Sequence, residues 1–218
     1  MDINDYMIST LLATSITLIA LVVGIVRFGR FSVALKYMFF YVVLGACTEI
    51  ANYVLIEVLA HSNNMPIGNF YFFLSFLLLG LYFMHLFKGY IHRKVFIAIV
   101  VLYELYFIVN LLVFQSIFEF PAIPKAISDI ILFGLAMLFF HKTMLEAKEK
   151  YVWKDPFVII NLGILLYFAG SLFYSVLFNV VLENARGFTD FTRIYFYVLN
   201  AVFYFLIAIG FWKAGKQV

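Results

Sequence analysis

Apolar runs of about membrane-crossing length repeat seven times along this chain, separated by short polar turns. They are Tyr6–Val26, Lys36–Ala60, Gly68–Phe87, Arg93–Phe114, Pro124–His141, Asp155–Leu182 and Arg193–Trp212. Crossing about 30 Å of hydrocarbon takes roughly 20 apolar residues as a helix. The runs are apolar on all sides and lack the period-two alternation of a barrel strand, so each is expected to be a helix. The pattern predicts an all-α, polytopic seven-transmembrane-helix bundle, a single transmembrane domain over residues 1–218.

Composition agrees. The chain is 66% hydrophobic and 12% charged, with a mean hydropathy of +1.04. No remaining stretch is long enough for an extramembrane domain, so any signal must pass to a separate polypeptide. The charges carry the direction. Arg27, Arg30 and Lys36 follow the first run; Lys88, Arg93 and Lys94 follow the third; Lys142, Lys148, Lys150 and Lys154 follow the fifth; Lys213 and Lys216 follow the seventh. The other side holds only Lys125, Arg186 and Arg193. By the positive-inside rule the N-terminus is outside and the C-terminus cytoplasmic, as expected for a multi-pass protein of a bacterial inner membrane. A net charge of +3, divided in this way, gives no reason to expect a nucleic-acid partner. The first run follows Asp2 and Asp5, with its basic residues after it, which reads as a retained anchor rather than a cleaved signal peptide. The single cysteine, Cys47, allows no intrachain disulfide and reads as a small packing residue.

Local punctuation supports the spans. Asp155-Pro156 reads as an N-cap followed by proline at the first helical position, Pro124 opens the fifth run, and Pro66 breaks the turn before the third. Trp153 and Trp212 fall at the proposed cytoplasmic interface. The fifth helix is expected to run on over Lys142–Tyr151, with Glu146 and Lys150 spaced for an ion pair. The cationic stretch Lys142–Lys154 is the candidate docking surface for a cytoplasmic signalling protein, against the simpler reading of a solvated helix end. In the sixth run Gly163, Tyr167, Gly170 and Tyr174 share one face, a pattern for close helix packing.

Intramembrane polar residues are the candidate chemistry, since each charge costs about 2.5–3.5 kcal/mol on insertion scales. Glu57 lies near the outer end of its run, and Asp129 one turn in from the outer end of its own. Glu49 and Glu104 lie deeper, Glu104 close to the midplane, with no lysine or arginine at matching depth. Burial without a countercharge favours the neutral, proton-donating form of such a group. Glu49 and Asn52 share a helical face, as do Asn161 and Asn179, and Tyr197 and Tyr204 flank Asn200. Glu49, Asn52, Glu104, Asp129, Asn179 and Asn200 form the candidate ligand-binding set, with Asn110 at similar depth. The alternative is a set of interhelical hydrogen bonds. The 28 Phe and 15 Tyr would furnish an apolar cavity or simply pack.

Several chemistries lack their residues. The seventh run has no interior lysine for a retinal Schiff base. His61, His85, His92 and His141 sit at loops or span ends, and His85 with His141 alone is a weak haem signal. There is no zinc-protease motif, phosphate loop or serine–histidine pair, so no catalytic residues, metal or cofactor are expected.

Asn161–Gly170, Leu177-Phe178-Asn179 and the ending Leu199-Asn200 through Lys213 resemble a small seven-span integral membrane family of the Bacteroidota; Thr48-Glu49 and Asn52-Tyr53 are compatible with it. Related modules are similar to the membrane input halves of sensor histidine kinases. The resemblance implies a receptor-like or sensor module that binds a small or lipidic ligand in its outer half. A small transporter or proton-coupled permease, and a structural subunit of a homo- or hetero-oligomeric complex, stand as alternatives.

Overall fold

Inside hydrocarbon an unpaired backbone N–H or C=O costs several kcal/mol, and a helix satisfies these groups within its own segment. The computed structural model describes residues 3–61, 63–146, 154–184 and 186–214, with side chains at 15–61, 63–146, 154–173 and 194–214. It is 87% helix, and no strand occurs among the described residues. The α-helices are α1 (Ile3–Arg27), α2 (Val33–Tyr53), α3 (Met65–Leu86), α4 (Arg93–Val109), α5 (Ala122–Glu146), α6 (Pro156–Asn184) and α7 (Arg186–Lys213). Among the described residues six stretches are long and apolar enough to cross a membrane: Val33–Val58, Met65–Leu86, Arg93–Phe114, Ala122–Glu146, Pro156–Phe173 and Ile194–Lys213. This is a multi-pass membrane protein.

The helix starts follow local chemistry. Leu35 N–H donates to the Ser32 hydroxyl (3.5 Å), Lys94 N–H to His92 Nδ1 (3.3 Å), and Phe157 N–H to Asp155 Oδ1 (2.8 Å). Pro156 opens α6, where its missing N–H costs nothing. Pro124 lies in the first turn of α5. Helix α7 starts at Arg186, seven residues before the expected Arg193. No proline interrupts 186–193, so the helix propagates through the polar flank.

Two ends are less regular. Beyond α2, Val54–Val58 forms a π-helical turn, and beyond α4, Asn110–Phe114 forms another. The first closes with Ala60 at φ +51°, in the left-handed region that favours glycine.

The chain divides into two compact units, residues 31–128 and residues 1–30 with 129–218. In the first, α3 packs against both α2 and α4. The α3–α4 seam is an antiparallel aromatic ladder: Phe87 stacks on Phe96 (5.5 Å), while Phe76 meets Tyr103 (3.8 Å) and Phe73 meets Phe107 (6.2 Å) with tilted rings. Between these rungs Gly80 receives Val100 Cγ2 in the space a methyl group would need.

In the second unit, α7 packs against α1 and α6. The glycine face read in the sequence is the α6–α7 contact. A Cβ at Gly170 would collide with the Tyr195 hydroxyl and Leu199, and one at Gly163 would meet Phe203 and Leu206 at 3.2 Å. Between them Tyr167 stacks on Phe203 at 4.7 Å and 19°. At the C-terminal ends of α1 and α7, the Arg27 guanidinium lies 4.5 Å from the Trp212 ring centroid. Helix α5 is described as far as Glu146, which pairs with Lys142 (3.9 Å). The expected Glu146–Lys150 pair, Trp153 and most of the proposed docking stretch lie outside the described residues. Cys47 is exposed rather than packed, because it shares the lipid-facing side of α2 with exposed Ile50 and Val54.

The packing gives two stability predictions. Gly170→Val should destabilise the protein by about 1–3 kcal/mol through overpacking, whereas Gly134→Val, with no atom within 4 Å of its Cβ position, should stay within about 0.5 kcal/mol. Ala60→Gly should raise stability by about 1 kcal/mol by relieving the left-handed backbone. Denaturation in mixed micelles, followed by circular dichroism, checks all three.

Candidate functional site

Carboxamides and carboxylates in an apolar bundle must find donors or acceptors on neighbouring helices or on their own. The six candidate residues divide between the two units: Glu49, Asn52 and Glu104 in one, Asp129, Asn179 and Asn200 in the other.

Asn52, half-buried near the end of α2, accepts a hydrogen bond from Asn64 Nδ2 (3.2 Å) at the head of α3. Glu49, one turn earlier, is half-buried. Asn200 donates from Nδ2 to Phe196 O of its own helix (3.1 Å), and the buried Asn161 does the same with Phe157 O (2.8 Å). Asp129 is fully buried and accepts from the equally buried Ser171 hydroxyl (2.8 Å), joining α5 to α6. Asn110 donates to Gln115 Oε1 (3.0 Å) across its π-helical turn. The side chain of Asn179 lies outside the described residues. Of these contacts, Asn52–Asn64 and Asp129–Ser171 fasten one helix to another, and the rest stay within one helix or turn.

Glu104 differs. It lies in α4 one turn beyond Val100, which packs on Gly80 of α3, and it is 8% exposed. Both carboxylate oxygens are buried and make no hydrogen bond among the described residues. Its α4 neighbours Tyr103 and Phe107 are the rungs that meet Phe76 and Phe73 of α3. The acid therefore lies beside the aromatic ladder.

Asn69, which the sequence reading did not select, is 1% exposed. Its Nδ2 donates to Ile117 O (2.7 Å) and Glu119 O (3.2 Å), pinning the segment between α4 and α5 over the head of α3. Asn63 adds a bond to Phe118 O (2.9 Å), and Gln115 Nε2 donates to Phe120 O. Because Nδ2 must face the two carbonyls, Oδ1 of Asn69 is fixed as an acceptor, and it too has no partner. Nothing in one sequence marks Asn69, since its role depends on loop carbonyls about 50 residues away.

Lys125 is the second omission. Counted among the outer cations, it is only 7% exposed, with Nζ 5.7 Å from the Phe72 ring centroid. Its helix head is held further by Tyr103, whose hydroxyl donates to Pro124 O (3.1 Å). His85 carries its proton on Nδ1, which donates to Leu81 O (2.9 Å), and its ring packs against Tyr37. Among the described residues no three His, Cys, Asp or Glu side chains are grouped to hold a metal.

No protein-family model, curated protein or solved structure matches this chain.

Asn69→Ala should leave two loop carbonyls unpaired and cost about 1–3 kcal/mol. Hydrogen exchange should show faster labelling of 115–121, with α6 and α7 unchanged.

Proposed function

We propose that this chain is a receptor-like sensor module of a bacterial inner membrane, crossing seven times with its N-terminus outside and its C-terminus in the cytoplasm. It binds a small or lipidic ligand at Glu104 and signals through a separate cytoplasmic partner.

The topology rests on cation placement and on one contact. Arg27 lies over Trp212, so the C-terminal ends of α1 and α7 are side by side and the two helices run in the same direction. Parallel first and last helices are what an odd number of crossings requires. Alkaline phosphatase fused before residue 1, behind an export signal, should be active, and green fluorescent protein fused after residue 218 should fluoresce. Both ends in one compartment would overturn the topology.

The ligand reading rests on a single observation: both oxygens of a buried carboxylate lack donors. Among the other candidates Asn52 and Asp129 bridge two helices, which favours the structural-subunit alternative for those two, and Asn200 bonds within its own helix; Glu104 is the site of the proposed reading. A purely structural position would gain from an apolar residue there. Glu104→Leu is expected to raise stability by about 1–3 kcal/mol by removing the buried polar group. The same variant should lose a small-molecule adduct that native mass spectrometry detects on the wild type. A wild type without any adduct, beside a stabilised and otherwise unchanged Leu variant, would leave Glu104 without a ligand role.

A further inference from the structure

Among the described residues of the unit 31–128, three buried polar side-chain atoms have no hydrogen-bond partner, namely both oxygens of Glu104 and Oδ1 of Asn69. Asn69 Oδ1 is an acceptor, and an ionised Glu104 accepts at both oxygens, so a donor brought by a ligand would satisfy them.

We propose that Glu104 recognises an organic ammonium, an amine whose N–H bonds point at the carboxylate and whose apolar body lies against the aromatic ladder. This rests on the reading of Glu104 as a ligand site and adds the chemical class. An ionised carboxylate accepts hydrogen bonds only, and a cationic donor supplies both the missing bonds and the missing countercharge.

The residues nearby narrow the choice. Anionic ligands meet like charge at Glu104. A metal ion lacks ligands, since no cluster of three metal-binding side chains occurs among the described residues. The cations of this unit lie elsewhere: Lys36, Lys88, Arg93 and Lys94 are at the opposite helix ends, and Lys125 sits over Phe72. Aromatic faces attract ammonium groups, most strongly where water is excluded. Phe76, Tyr103 and Phe107 are each at most 4% exposed, and Tyr103 and Phe107 are neighbours of Glu104 along α4. The chain already places one ammonium in this way, Lys125 over Phe72.

The test uses the full-length protein in a nonionic maltoside detergent, with 2-phenylethylammonium as the probe and 2-phenylethanol as its neutral counterpart. Isothermal titration should show saturable binding of the ammonium, weakened at least tenfold in Glu104→Gln and unchanged in Glu57→Gln, an exposed acid at the end of α2. Glu104→Asp, which keeps the charge but shortens its reach, should bind with intermediate affinity and guards against misfolding of the Gln variant. If the neutral alcohol binds in a Glu104-dependent way and the ammonium does not, the ammonium class is wrong while the ligand site stands. If neither probe binds in a Glu104-dependent way, the ammonium proposal falls. The native mass measurement on the wild type then decides the site itself.

Discussion

A polar group surrounded by hydrocarbon has no water to fall back on, so each one must be satisfied by the chain, and this constraint organises the whole molecule. It makes the backbone helical almost throughout. It also governs the short polar side chains within helices: Thr48 donates to Leu44 O (2.8 Å), Thr143 to Phe139 O (2.9 Å), and Asn161 and Asn200 likewise reach back one turn. Where the backbone leaves a helix, between α4 and α5, side chains take over. Asn63, Asn69 and Gln115 donate to four consecutive carbonyls, those of Ile117, Phe118, Glu119 and Phe120.

Helix association has a different basis here than in water, because lipid tails are as apolar as the side chains and burial alone gains little. What remains is close contact and ring geometry. The α6–α7 pair uses Gly163, Gly170 and Gly210, where a neighbouring side chain occupies the space of a missing methyl group. The α3–α4 pair uses one such glycine, Gly80, and stacked or tilted rings on either side of it. The large aromatic content thus has a structural use before any cavity is considered.

Much of this architecture was legible in the sequence because it depends on local or periodic information. Of the seven apolar runs expected to cross, six coincide with helices among the described residues that are long and apolar enough to do so, Asp155-Pro156 announced the start of α6, and Gly163 with Gly170 marked a close-packing face. Features set by distant partners were not legible. Lys125 read as an exposed outer cation, yet its ammonium is buried over Phe72 of another helix. Asn69 had no signal, since its partners lie on a loop. Asn52 and Glu104 both entered the candidate ligand-binding set, and only tertiary contacts separate the one with an Asn64 partner from the one with none among the described residues. The π-helical turns beyond α2 and α4 follow from no composition we can name.

The contrast between Asp129 and Glu104 carries the functional argument. Both are acids on apolar helices, and both are almost entirely buried. Asp129 has a hydroxyl at 2.8 Å on the next helix, which is how a bundle accommodates an acid for structural ends. Glu104 has no equivalent among the described residues. Leucine at 104 would remove the need altogether. An acid that helix association neither requires nor satisfies is a standing destabilisation, and proteins keep such groups where activity depends on them. Under the proposed reading, donors arriving with a ligand would resolve that imbalance.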